Sequence, residues 1–165
     1  MMFRDMRRSK QVLPDADTAA VLNRCTHGVL ACLGDDEYPY AVPLSYVYHG
    51  DKIYFHSAKA GHKIDAICKN PKVSFTVIDE DTIVSAKFTS FFRSVIVFGK
   101  ARIAEKAEWR DAFAALIEKY AGDQSQEAKQ NELSVCTQSY IIAMDIQHMT
   151  GKEAIEYVNA KHPLK

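Results

Sequence analysis

The sequence predicts a mainly β chain: antiparallel strands closed into a small barrel, with flanking helices. Three observations predict it. Between Val29 and Ile103, runs of apolar, aromatic and β-branched residues recur at short intervals. Gly-containing polar turns such as Gly34-Asp35-Asp36 and His49-Gly50-Asp51 separate them. Six or seven such strands with few helices must close on themselves or be covered, because bare strand edges invite pairing with other chains.

Composition sets the outer limits. The chain has 165 residues, 47% hydrophobic and 25% charged. That suits one soluble domain over residues 1–165, with an arm at 1–13 and a tail at 154–165. Lys plus Arg number 21 and Asp plus Glu 21, so the net charge is zero. General nucleic-acid binding needs a basic excess and is not expected. No apolar run has the length of a membrane span. Met1–Lys10 is basic with no apolar segment behind it, which does not read as a secretory signal. Cys25, Cys32, Cys68 and Cys136 form no CxxC pair and no zinc spacing. They are expected to be free, buried thiols in a reducing cytoplasm.

The elements follow in order. Arg4, Arg7, Arg8 and Lys10 mark either a solvated arm or one that packs on a partner chain or an anionic ligand. Leu13-Pro14-Asp15 opens a helix capped by Asp15 or Asp17, running to about Cys25 with Val21 and Leu22 inward. Val29–Leu33 is a short strand. Tyr38–Tyr48 is a longer one whose Pro39 and Pro43 cannot donate to a ladder, so a bulge or opening is expected at Pro43. Lys52–Ser57 completes an antiparallel meander. A helix follows Gly61 to about Lys69, ended by Asn70-Pro71. Lys72–Ile78 alternates as a strand, Asp79-Glu80-Asp81 reads as a surface turn, and Thr82–Phe88 as a further strand. Ser94–Ile103 is the clearest strand, with Gly99 marking a bulge or a close backbone approach. In the helix Glu105–Ala121, Trp109, Phe113, Leu116 and Tyr120 form one stripe, expected to be core. Residues 123–135 are polar and can hold a short helix. Tyr140–Ile146 reads as the last buried strand, Met149–Glu153 as a loop, and the tail as a turn or two of helix.

Chemistry concentrates in Lys52–Ile67, a strand, a Gly-containing loop and a helix start. Ser57, Lys63 and the Gly61–Lys63 backbone can converge on an anion, since unpaired N–H groups and the helix dipole favour negative charge there. There is no GxGxxG, no GxxxxGK[ST] and no HExxH. His49, His56 and His62 are too irregularly spaced for a metal site.

Pro43-Leu44-Ser45-Tyr46-Val47-Tyr48, Lys52–Ala58, Gly61-His62-Lys63 and Asn70–Phe75 resemble successive motifs of the pyridoxamine-phosphate-oxidase-like, FMN-binding split barrels. Ser94–Ala101 and Thr150-Gly151-Lys152-Glu153 are similar to motifs of their nitroimidazole-resistance (Nim-like) branch. The resemblance spans roughly residues 4–155. It implies a six-stranded split β-barrel and a homodimer with FMN at the interface. It places Pro43, Leu44 and Ser45 beside the flavin ring, and His56, Ser57 and Lys63 at the ribityl phosphate. Arg93 and Ser94 are weaker candidates that reach the cofactor of the other chain. His56 is the candidate for a role in catalysis. The implied activity is an FMN-dependent oxidoreductase passing electrons from a reduced nicotinamide to a small aromatic or nitroaromatic acceptor. A haem-binding or haem-degrading barrel and a non-catalytic flavin-binding module are the alternatives. The C-terminal Arg- and His-containing substrate motif of true pyridoxamine-phosphate oxidases is absent, which weakens a vitamin-B6 role.

Overall fold

The computed structural model describes residues 3–136 and 139–161. In chain order the elements are α1 (Asp15–Arg24), β1 (His27–Leu33), β2 (Pro39–Ser45), β3 (Val47–His49), β4 (Lys52–Ser57), α2 (His62–Lys69) and β5 (Lys72–Val84). Then come β6 (Thr89–Ile103), α3 (Lys106–Ala121), α4 (Gln126–Val135), β7 (Tyr140–Glu153) and α5 (Ile155–Lys161). All strand pairs are antiparallel, in the order β2-β1-β5-β6-β7-β4-β3.

The two ends of this sheet are one stretch of chain. Only Tyr46 separates β2, which pairs with β1, from β3, which pairs with β4. The expected strand Tyr38–Tyr48 is therefore one strand serving two neighbours, which turns six strands into seven and closes the sheet. The opening lies at Tyr46 and not at Pro43. The β1–β2 register runs unbroken from His27↔Ser45 to Leu33↔Pro39, with no bulge at Pro43. The prolines are tolerated because β2 has a strand on one side only.

Inside the barrel, Leu30, Tyr46, Phe55, Phe75, Val77, Val95, Ile142 and Met144 are fully buried. Phe75 takes the edges of Tyr46 and Phe55 at centroid distances of 4.9 and 5.0 Å. Helix α1 adds Val21 and Leu22 to this core. A second apolar cluster lies outside, where α3 lays Ala112, Phe113 and Leu116 on Val47, Tyr54, Ile141 and Ala143. Strands β4 and β7 are thus buried on both faces. That is why Ile53-Tyr54-Phe55 and Ile141–Met144 read as continuous apolar runs and not as alternation.

Several boundaries differ from expectation. Helix α1 starts after Pro14 with no side-chain cap from Asp15 or Asp17, which sit in its first turn and favour the dipole. Asp79-Glu80-Asp81 is no turn: β5 runs through it with a register shift between Ile78 and Glu80. The hairpin turns at Ser85–Lys87 instead, and Phe88 adopts φ 52. Likewise Met149–Glu153 continues β7 rather than forming a loop. Gly99 meets both expectations. The β6–β7 register shifts between Phe98 and Gly99, and a Cβ there would lie 2.4 Å from the Asp145 carbonyl oxygen. The N-terminal arm packs along the sheet. Leu13 is buried and its N–H donates to Gly151 O at 2.9 Å, while Phe3 stacks on His148 at 4.8 Å. Arg4, Arg7, Arg8 and Lys10 on that arm stay exposed. Of the four thiols only Cys32 is buried, and Cys68 is exposed. No helix among the described residues is long and apolar enough to cross a membrane. The expectations for Met1, Met2 and residues 162–165 lie outside the described residues.

Candidate functional site

The open side of β2 forms one wall of a cleft of about 720 Å³. Pro43, Leu44 and Ser45 line it from β2, and His56 from β4. Helix α3 supplies Phe113, Leu116, Ile117 and Tyr120, and α4 supplies Ala128, Lys129 and Glu132, with Cys136 just beyond. The geometry follows from the split strand. Because the chain leaves β1 at Tyr46, no strand covers β2 and α3 can lie beside it.

Tyr120 holds that split. The backbone of Tyr46 falls between two ladders and is buried. Its N–H donates to Tyr120 Oη at 2.9 Å, and Tyr120 Oη lies 2.8 Å from Tyr46 O. The hydroxyl also reaches Thr26 O. Buried main-chain groups need such partners, and here one side chain serves both. Tyr120 is 41% exposed on the cleft wall, so the core role expected for the end of its stripe is corrected. The neighbouring Lys119 caps the end of α1, with Nζ 2.6 Å from Cys25 O, and sits over the Tyr46 ring at 4.2 Å.

His56 packs against Phe113 with centroids 5.5 Å apart, and its Nε2 lies 3.7 Å from Cys136 Sγ. Burial lowers the imidazole pKa below its ordinary value; nearby Glu132 works against this and Lys63 with it. The ring is therefore neutral at pH 7. Ser57 is buried and its hydroxyl donates to Ala58 O at 2.9 Å, so that donor is already engaged. Lys63 stands in the first turn of α2 behind Gly61, whose φ of 124 only glycine adopts readily. Among the described residues Lys63 makes no ion pair, and the N–H groups of His62 and Lys63 have no main-chain partner.

Arg93 and Ser94 lie elsewhere. Ser94 is in mid-sheet, in register with Ile78 and Lys152. Arg93 reaches Asp79 at 3.1 Å, Glu80 at 3.5 Å and Glu153 at 3.5 Å, with its guanidinium over Tyr157. It lines a separate polar cleft with Arg24, Asp79 and Lys161. Hydrogen bonds from Arg24, then Arg93 and Cys25, hold the Asp79 carboxyl at about 2. Burial, first of all, pushes the Cys25 thiol up to about 11, which leaves it unreactive at neutral pH. The structure therefore brings Pro43, Leu44, Ser45 and His56 together, sets Ser57 and Lys63 on the adjoining loop and helix, and leaves Arg93 and Ser94 apart within one chain.

Sequence reasoning missed Tyr120, Lys129, Glu132 and Cys136 as wall residues. The helix α4 was legible, since Ser125 caps it by accepting from Ala128 N at 3.2 Å. Its packing on α3, which brings it to the cleft that β2 lines, was not. Among the described residues no three His, Cys, Asp or Glu side chains converge as metal ligands.

The family model for pyridoxamine 5'-phosphate oxidase matches residues 14–153. Among solved structures, the chain is similar to a conserved hypothetical protein of Mycobacterium tuberculosis, at 22% identity and TM-score 0.77 over 90% of both chains. It is also similar to a candidate 5-nitroimidazole antibiotic resistance protein of Bacteroides thetaiotaomicron, at 23% identity and TM-score 0.70 over 86% of both. An FAD-binding protein of Mesorhizobium loti matches at 24% identity and TM-score 0.58, over 87% of this chain and 97% of that one. At these identities the likeness is one of fold. An uncharacterized protein of Rhizobium meliloti is 40% identical over 73 residues, 43% of this chain and 42% of that protein, so the match spans less than half of the relative's length. With the matched model running from the start of α1 to the end of β7, and the split barrel shared with these structures, the chain belongs to the pyridoxamine 5'-phosphate oxidase family.

Proposed function

We propose that this chain is a flavin-dependent oxidoreductase that binds FMN in the β2–His56–α3 cleft and reduces a small aromatic or nitroaromatic acceptor. The observation that carries the reading is the cleft itself: a largely apolar-walled slot beside an open strand edge, with His56 in its wall within reach of the charge of Lys63, a helix-start lysine that makes no ion pair among the described residues. Those residues fit a flavin. Leu44, Phe113, Leu116 and Ile117 offer apolar surface to a planar ring, and Pro43–Ser45 offers uncovered main chain to its polar rim. Lys63 and the first N–H groups of α2 match a phosphate. Because the Ser57 hydroxyl is engaged, Lys63 is the principal phosphate ligand. The family membership and the FAD-binding neighbour from Mesorhizobium loti support a flavin.

A flavin held there would supply two-electron redox chemistry between a reduced nicotinamide and the acceptor. The chain's own residues position and shield. The α3 wall would shield one face of a bound ring from water, and His56 presents a ring nitrogen to a ligand in the cleft, where it can hold a proton or accept a hydrogen bond. We also propose a homodimer. Ile83 is 78% and Phe88 98% exposed on the β5–β6 hairpin, and zero net charge gives little protection against self-association.

The visible spectrum of the purified protein tests the cofactor. Flavin absorbance, with FMN identified by the mass of the released group, is the expected result. A colourless protein that ignores added FMN, or one with a haem Soret band, overturns it. Oxidation of a reduced nicotinamide dependent on a nitroaromatic separates an enzyme from a flavin-binding module.

A further inference from the structure

The electrostatics of the cleft narrow the acceptor. Two side chains in its lining carry a formal charge, Lys129 and Glu132. Lys129 is neutralised within the helical pair: its Nζ is 2.8 Å from Glu118 Oε2 and 2.8 Å from Gly122 O, and the side chain is 10% exposed. Among the described residues no cation pairs with the Glu132 carboxylate, which stays exposed on α4 where that helix faces the slot. His56, the titratable group on the opposite strand, is neutral, and the Glu132 charge reaches it. Lys63 is the other charge acting on His56. With a flavin ring on the apolar wall of Phe113, Leu116 and Ile117, an acceptor laid over that ring faces one carboxylate, Glu132, that no cation among the described residues offsets.

We propose that the cleft selects planar aromatic acceptors bearing a positive charge and rejects anionic ones, with Glu132 as the selecting group. This rests on the flavin reading, because the cofactor phosphate is what takes up the charge of Lys63. A single carboxylate acting across a partly solvated slot gives a modest preference, on the order of tenfold between a cationic and an anionic ligand of equal shape, and salt weakens it.

The test uses FMN-loaded protein and three nitrobenzenes that differ only in the para substituent: trimethylammoniomethyl, hydroxymethyl and carboxylate. Dissociation constants are read at low ionic strength from the perturbation of flavin absorbance, so no turnover is needed. The expected order is cation tightest, neutral next, carboxylate weakest, flattening in 0.5 M salt (a concentration of about that order suffices). Glu132→Gln is expected to compress the spread to within about twofold to threefold, and Glu132→Lys to invert it. Circular dichroism checks that these exposed helix variants fold. Equal binding of the three ligands, or a Glu132→Gln protein that keeps the wild-type order, overturns the proposal while the flavin reading stands. A protein that takes up no FMN overturns both.

Discussion

Three side chains carry effects that single substitutions can measure. Tyr120→Phe removes the group that pairs both main-chain polar atoms of buried Tyr46. We expect a loss of about 1–3 kcal/mol in chemical denaturation, the usual cost of stranding buried donors and acceptors; unchanged stability would mean that water replaces the hydroxyl. Lys63→Ala is expected to weaken FMN binding by about tenfold to a hundredfold, as loss of a charge-assisted contact does. Titration of the variant with FMN checks this, and wild-type affinity would assign the phosphate to another cation. Asp79 links the fold to pH. Its carboxyl is held at about 2, below the ordinary 3.8, chiefly by hydrogen bonds from Arg24. A folded-state pKa below the unfolded one stabilises at pH above about 4, and that stabilisation is lost as pH falls from about 4 through about 2. With Arg24 47% exposed the gain is screened, and about 1 kcal/mol is a fair magnitude. Melting temperature followed from pH 6 down to about 2.5 should fall, and Asp79→Asn should remove part of that fall. Glu108, held at about 2 chiefly by a hydrogen bond from Arg102, contributes with the same sign.

At the level of elements, local pattern located strands better than their ends. Asp79-Glu80-Asp81 looks like a turn because three acidic residues in sequence normally face water. In the structure Asp79 turns toward Arg24 and Arg93, which come from α1 and β6, and the strand continues. Met149–Glu153 reads as a loop, yet the strand continues through it and Glu153 is buried against Lys161 and Arg93. Partners so distant in sequence leave no local trace. Gly99 was legible because glycine inside an otherwise β-branched run signals a close approach. Gly99→Ala should cost about 1–3 kcal/mol, since the added methyl meets the Asp145 carbonyl, which is main chain and cannot swing aside. A melting curve within a degree or two of wild type would show that the bulge can relax, a shift this small corresponding to roughly a few tenths of a kcal/mol.

For the whole molecule, the proposed dimer predicts a sedimenting mass of about twice 18.6 kDa. A monomer at micromolar concentration would remove the shared interface and with it any role for Arg93 and Ser94 at a second copy's cofactor. Within one chain those two residues lie apart from the cleft, and Arg93 is already surrounded by three carboxylates.

The sequence by itself determined where most strands lie, the helix starts and the close approach at Gly99. Each of these depends on residues within a turn or two of one another, so local chemistry suffices. Only the tertiary structure decided that one strand would serve two neighbours, that Tyr120 would hold the opening, and that α4 would bring Glu132 to the slot. Those outcomes join residues tens of positions apart, through barrel closure and the pairing of buried polar groups. Neither leaves a periodicity in the chain that could announce it.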